Sequence, residues 1–124
     1  MPWLPWLLIA LVAVLHVVFM AGEMLFWPDM ATRVAGLSPT VAAATKPLGM
    51  NQGLYNGFLA AGLIWSLGWR PPMIRDVKVA GFFLICVLVA GVFGAITIKP
   101  INYGLLGLQA FPALVALIAL WRRP

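Results

Sequence analysis

Residues 3–27 read WLPWLLIALVAVLHVVFMAGEMLFW, and only His16 and Glu23 interrupt the run with strongly polar side chains. About 20 consecutive apolar residues, at roughly 1.5 Å of rise each, cross the hydrocarbon core of a bilayer. The run therefore reads as a membrane-spanning helix, and Glu23 becomes the residue to explain. A carboxylate in hydrocarbon is costly unless it is paired, hydrated or protonated, so an acid in such a place is a functional candidate by default.

Working outward, four runs of this kind occur, at about 4–27, 48–69, 77–98 and 104–121. Proline and glycine punctuate them. Pro28 is expected to stop the first. Pro47 opens the second from a first-turn position, where its missing N–H costs nothing. Pro71-Pro72 closes the second, Pro100 closes the third, and Gly104 lets the fourth begin. Trp3, Trp6, Trp27, Trp65, Trp69 and Trp121 gather near the ends of the runs, as an aromatic belt does at a membrane surface. The expected fold is all-α, an integral membrane four-helix bundle, with residues 1–124 as a single transmembrane domain. Composition agrees: 64% of the residues are hydrophobic and 9% charged, where a soluble domain carries about 25% charged residues. The 28–47 connection is long for a bundle, whose helix–helix links run to about 2–8 residues. It reads as an interfacial loop with room for two short helices: Asp29 to cap the first, Gly36 to end it, and Ser38-Pro39 to open the second. Such a loop serves as a plain connector or as a lid.

The net charge of +5 does not mark a nucleic-acid binder, because the cations sit in the gaps between oily runs. Arg70, Arg75, Lys78, Arg122 and Arg123 fall on one side of a four-span chain, and Arg33, Lys46 and Lys99 on the other. Five against three places both termini in the cytoplasm by the positive-inside bias, with a small margin. The first run is expected to be retained rather than cleaved as a signal peptide, since no Lys or Arg precedes it and other long apolar runs follow. Cys86 lies alone inside an apolar run and reads as a packing residue. No metal is expected, because one His and one Glu do not make a site. No nucleotide loop, nucleophile motif or haem motif occurs, so no cofactor is expected either.

Chain direction fixes depth. Glu23, Asn51, Gln52, Tyr55, Asn56, Thr97, Lys99, Asn102, Tyr103 and Gln109 all fall in the half of the spans away from the termini, and His16 alone reaches the middle. Polar groups in lipid turn inward and pair. The cluster predicts either a polar vestibule or an interhelical hydrogen-bond network that only joins helices. His16 and Glu23, seven residues apart, project within roughly 20° of each other and about 10 Å apart along the axis, with Met20 and Trp27 on the same stripe. Gly53, Gly57 and Ala61 form a small-residue ridge bordered by Gln52 and Asn56, while Asn51 and Tyr55 point nearly opposite, so the helix presents polar groups on two sides, one of which is open to a neighbouring subunit. Glu23 is open to pairing with Lys99 or to hydrogen bonds from Gln52 and Asn56.

Three segments carry a resemblance: Leu15-His16 through Glu23-Met24-Leu25-Phe26-Trp27; Asn51-Gln52-Gly53-Leu54-Tyr55-Asn56-Gly57 with Leu59-Ala60-Ala61-Gly62-Leu63; and Ala90-Gly91-Val92-Phe93-Gly94-Ala95-Ile96-Thr97 with Gln109 and Pro112-Ala113. Together they resemble a family of small bacterial integral membrane proteins known only as a domain of unknown function. The resemblance implies a four-span protein of the bacterial inner membrane and brings no activity with it.

The residues favour a binding or transport protein, not an enzyme, that holds a small molecule or lipid around Glu23, with His16, Gln52, Asn56, Asn51, Tyr55 and Gln109 as further ligand-binding candidates. The lipid bilayer and further copies of the chain are its expected partners. Two alternatives stand beside this reading: an intramembrane enzyme using Glu23 and His16 on a lipidic or small apolar substrate, and an assembly protein without its own activity.

Overall fold

Capping side chains and prolines decide where the helices begin and end. A computed structural model describes residues 1–98 and 102–123. It contains α1 (Leu4–Leu25), α2 (Trp27–Arg33), α3 (Pro39–Ala44), α4 (Lys46–Ser66), α5 (Val77–Thr97) and α6 (Tyr103–Trp121). The described residues form no strand, only an isolated bridge between Leu67 and Ile74.

Helices α1, α5 and α6 are long and apolar enough to cross a membrane. Helix α4 has the length, 21 residues, but Lys46, Asn51, Gln52 and Asn56 dilute its apolar character. The expectation of four spanning runs thus stands for three helices on length and composition. The second run forms its helix without the hydropathy of its neighbours.

Several boundaries differ from expectation, each for a local reason. Helix α1 stops at Leu25 because Phe26, at φ −132° and ψ 35°, leaves the helical region. Pro28 is therefore not the stop: it lies in the first turn of α2, where a proline needs no partner for its nitrogen. Asp29 does not cap; it sits inside that first turn, where a carboxylate meets the positive end of the helix dipole. Gly36 adopts φ +69°, the left-handed conformation that glycine alone enters freely, and the Leu37 N–H turns back to the Ala31 carbonyl at 2.9 Å. Ser38 caps α3 by accepting from the Val41 N–H at 3.3 Å, with Pro39 as the first helical residue. Helix α4 ends at Ser66, short of Pro71-Pro72. The Ser66 hydroxyl donates to the Leu63 carbonyl at 2.6 Å, and the Ser66 carbonyl accepts from the Arg75 and Asp76 N–H groups at 2.8 and 3.1 Å. Asp76 then caps α5, accepting from Lys78 and Val79 at 3.0 Å each. Asn102, not Gly104, starts α6, accepting from the Leu105 N–H at 3.2 Å. Pro100 lies outside the described residues.

Helix α6 contains a π-helical turn at Leu106–Ala110, closed by the Phe111 N–H on the Leu106 carbonyl. Pro112 supplies the reason. An interior proline donates no hydrogen bond and clashes with the carbonyl four residues back, and one extra residue in the preceding turn relieves both faults.

The chain packs as two compact units: Met1–Leu15 with Leu59–Pro124, and His16–Phe58. In the first unit, Ile9, Val12, Leu63, Leu84, Val87 and Leu117 belong to one buried cluster. Helices α5 and α6 meet closely there. A Cβ on Gly91 of α5 would stand 2.8 Å from the Ala110 backbone nitrogen and 3.0 Å from the Ala110 Cβ. One turn from the other end of α5, a Cβ on Gly81 would meet nothing within 4 Å. One substitution in one helix should therefore act with opposite signs. Gly81→Ala is expected to stabilise by about 0.5–1 kcal/mol, the helix-interior difference between the two residues. Gly91→Ala is expected to destabilise by about 1–3 kcal/mol, because backbone must move. Unfolding titrations with dodecyl sulfate in mixed micelles check this, and equal shifts for both variants would refute the packing argument.

Candidate functional site

The second unit brings α1 and α4 together along a row of glycines. Gly49, Gly53 and Gly57 recur every four residues, so they lie on one face of α4. That face meets side chains at descending positions in α2 and α1. A Cβ on Gly49 would fall within the Trp27 indole; one on Gly53 would stand 2.6 Å from Met24 Cγ and 3.1 Å from both Glu23 Cβ and the Met20 carbonyl; one on Gly57 would stand 2.6 Å from Met20 Sδ. The two helices run antiparallel here, and at these glycines α4 has no room for a side chain of its own beside Met20 and Met24. Trp27 is fixed at its far edge, where Nε1 donates to the Thr45 hydroxyl at 3.2 Å and that hydroxyl donates on to the Val41 carbonyl at 2.7 Å.

This crossing positions the acid. Asn56 Nδ2, one residue before Gly57, donates to Glu23 Oε1 at 3.0 Å. Asn56 is only 8% exposed. The second carboxyl oxygen, Oε2, is buried and has no hydrogen-bond partner among the described residues. An unmet buried acceptor costs about 1–3 kcal/mol, more if charged. The oxygen is therefore a place for a donor: a proton, a water, a hydroxyl or an ammonium group. The alternative partner Lys99 lies outside the described residues.

The other candidates divide. His16 is fully buried, and its ring stands edge-on to Phe19 with centroids 5.2 Å apart. Gln52 is exposed. Asn51 and Tyr55 are exposed on α4 and bond each other, Asn51 Nδ2 to the Tyr55 hydroxyl at 3.4 Å. Gln109 is buried within the π turn of α6, in the first unit. Thr97 turns its hydroxyl back to the Phe93 carbonyl of its own helix at 2.7 Å, and Asn102 is occupied as a helix cap. The ridge differs from expectation at one end: Ala61 is exposed, and Gly49 extends the row instead. The partners of the ridge are Met20 and Met24; their four-residue spacing matches that of the glycines and is the sequence signal that finds them. Among the described residues, no three of His, Cys, Asp and Glu come together as metal ligands do.

The model of a family described as a protein of unknown function (DUF1304) matches residues 10–121. No curated protein and no solved structure matches the chain.

Proposed function

The chain belongs to DUF1304, a family of proteins of unknown function, and we propose that it binds a small cationic or otherwise donor-bearing molecule at the Glu23–Asn56 pair within the bacterial inner membrane. The carrying observation is the divided state of the carboxyl group, with Oε1 taken by Asn56 and Oε2 buried without a partner among the described residues. The bond on Oε1 joins the two helices, and the unmet acceptor on Oε2 leaves a place beside it for a donor from a ligand. In this reading α4 is a fourth span whose amide at Asn56 is satisfied by Glu23, the bundle associates with further copies, and both termini are cytoplasmic. Met20 and Met24, packed at Gly53 and Gly57 on either side of Asn56, give the crossing a soft, polarisable lining suited to an organic cation. Movement of that molecule across the membrane is the natural use of such a site.

Acid–base catalysis by Glu23 and His16 has less support. It requires both groups within reach of one substrate, whereas Glu23 engages Asn56 on α4 and His16 faces Phe19 on its own helix. The helix-joining role has a specific observation in its favour, the tight glycine crossing itself, so the experiment is chosen to separate the two.

The chain contains three acids, and Asp29 and Asp76 are exposed. The lipophilic reagent dicyclohexylcarbodiimide attacks carboxyl groups sheltered from water. Peptide mass spectrometry on the chain in lipid nanodiscs is expected to find Glu23 modified before the two aspartates, and tetraphenylphosphonium is expected to slow that modification. Modification at Glu23 that this cation leaves unchanged would favour the joining role alone.

A further inference from the structure

A second feature stands apart from Glu23, at one end of the first unit. The first turns of α1, the end of α4, the loop over 67–76, the start of α5 and the end of α6 converge there. Trp6 Nε1 donates to the Gly68 carbonyl at 3.3 Å, and Leu4 and Leu8 share a groove with Ile118 and Arg122. Arg70, Arg75, Lys78, Arg122 and Arg123 are all exposed at this end. The one acid among them, Asp76, uses its carboxylate to cap α5. Among the described residues no ion pair engages any of the five cations. Among the described residues this end therefore carries five cations against one carboxylate, a concentrated excess of positive charge.

Two grooves open beside these cations. One, of about 420 Å³, is lined by Trp6, Ile64, Trp65, Leu67, Trp69 and Arg75. The other, of about 380 Å³, is lined by apolar side chains of α1 and α6 below Arg122 and Arg123. Each pairs a greasy wall with a guanidinium rim. Trp65 and Trp69 are 71% and 89% exposed, large indole surfaces that soluble proteins cover and that settle at the headgroup level of a bilayer. Arginine grips phosphate through two parallel N–H donors. A molecule that fits is apolar along most of its length, with an anionic phosphate at one end.

We propose that this end of the chain is a binding site for anionic glycerophospholipid. The phosphate rests on Arg75 and an acyl chain lies along the tryptophan groove; the Arg122–Arg123 groove takes a second lipid in the same way. The phosphate gives a lipid its fit to the groove, and a net negative charge makes an anionic lipid preferred over a zwitterionic one, since five cations and a single carboxylate face it among the described residues.

The test uses the full chain in phosphatidylcholine nanodiscs containing a minor fraction of either dibrominated phosphatidylglycerol or dibrominated phosphatidylcholine. Bromine quenches indole fluorescence only at contact, and Trp65→Phe/Trp69→Phe identifies the share that arises in the groove. Phosphatidylglycerol is expected to quench at lower mole fraction. Arg75→Gln is expected to reduce that preference about fivefold, the worth of one basic residue near an anionic surface. Arg75→Lys keeps the charge but not the fork and should fall between. Arg33→Gln, in the second unit, should change nothing. The Arg75 side chain makes no internal bond among the described residues, so its substitution leaves the fold intact. Equal quenching by the two lipids, or an unchanged preference in Arg75→Gln, would overturn the proposal. So would absence of quenching by either lipid together with a cross-linked dimer through Trp65, which would make a second copy the occupant.

Discussion

Gly53→Val is expected to unfold the second unit. At Gly53 even a single methyl group meets Met24 Cγ at 2.6 Å and the Met20 carbonyl at 3.1 Å. The methionine can swing aside, but the carbonyl belongs to α1 and can retreat only if the whole helix moves. Valine adds two further methyls to that position. Overpacking of this kind costs about 1–3 kcal/mol, and the separation it forces would also pull Asn56 away from Glu23. Together these approach the whole stability of a small unit, since native proteins hold only about 5–15 kcal/mol in total. Unfolding titration in mixed micelles reads the loss. Gly53→Ala should lose less, and adding Met24→Ala should restore part of it by clearing the nearest contact while leaving the carbonyl. If Gly53→Val unfolds at the same denaturant fraction as the parent chain, α1 and α4 do not cross on this face.

The glycine crossing is partly legible in the sequence. Gly53 and Gly57 are one helical turn apart, and only a close neighbour explains small residues kept at that spacing. The partner, α1, was not legible, because small-residue spacing says that something approaches and not what. Chain direction places Glu23 and Asn56 in the same half of the bilayer, but not at the same distance from their helix ends: Glu23 lies in the last turn of α1 and Asn56 nearly three turns into α4. The same logic failed for Gln52. It shares a face with Asn56, yet it is exposed. One turn earlier on α4 the matching level on α1 falls near Trp27, and α1 has already ended at Leu25. Nothing in the chemistry of Phe26 announces that break, since an aromatic residue continues an apolar run as well as it ends one. The π turn had a visible cause in Pro112, which lies inside the fourth apolar run, but a proline there predicts only a disturbance. The apolar runs themselves survived best: three of four became helices long and oily enough to span, because hydropathy over 20 residues averages away the local choices that decide caps and breaks.

Asn56→Leu is expected to be the more damaging half of a double-mutant cycle with Glu23. It removes the donor to Oε1 and leaves both carboxyl oxygens without a partner among the described residues. Hydrogen bonds to charged groups contribute about 1.5–3 kcal/mol, and stranding a buried acceptor adds its own desolvation cost. A loss of about 3 kcal/mol follows. Glu23→Gln keeps an acceptor at the Oε1 position, so Asn56 remains satisfied and stability should change by about 1 kcal/mol or less. Glu23→Leu with Asn56→Leu replaces both partners by apolar groups of similar size, which should recover most of what Asn56→Leu loses. The coupling energy of the cycle is then about 1.5–3 kcal/mol, measured by dodecyl sulfate unfolding. A coupling near zero would mean that the two side chains do not meet in the folded chain. The cycle also bears on function, because the two Glu23 variants separate what the binding and joining roles confound. Glu23→Gln retains the helix crossing and removes the charge; a folded variant that no longer binds tetraphenylphosphonium assigns the carboxylate to the ligand, whereas one that binds as the parent does returns the acid to the work of holding α1 against α4.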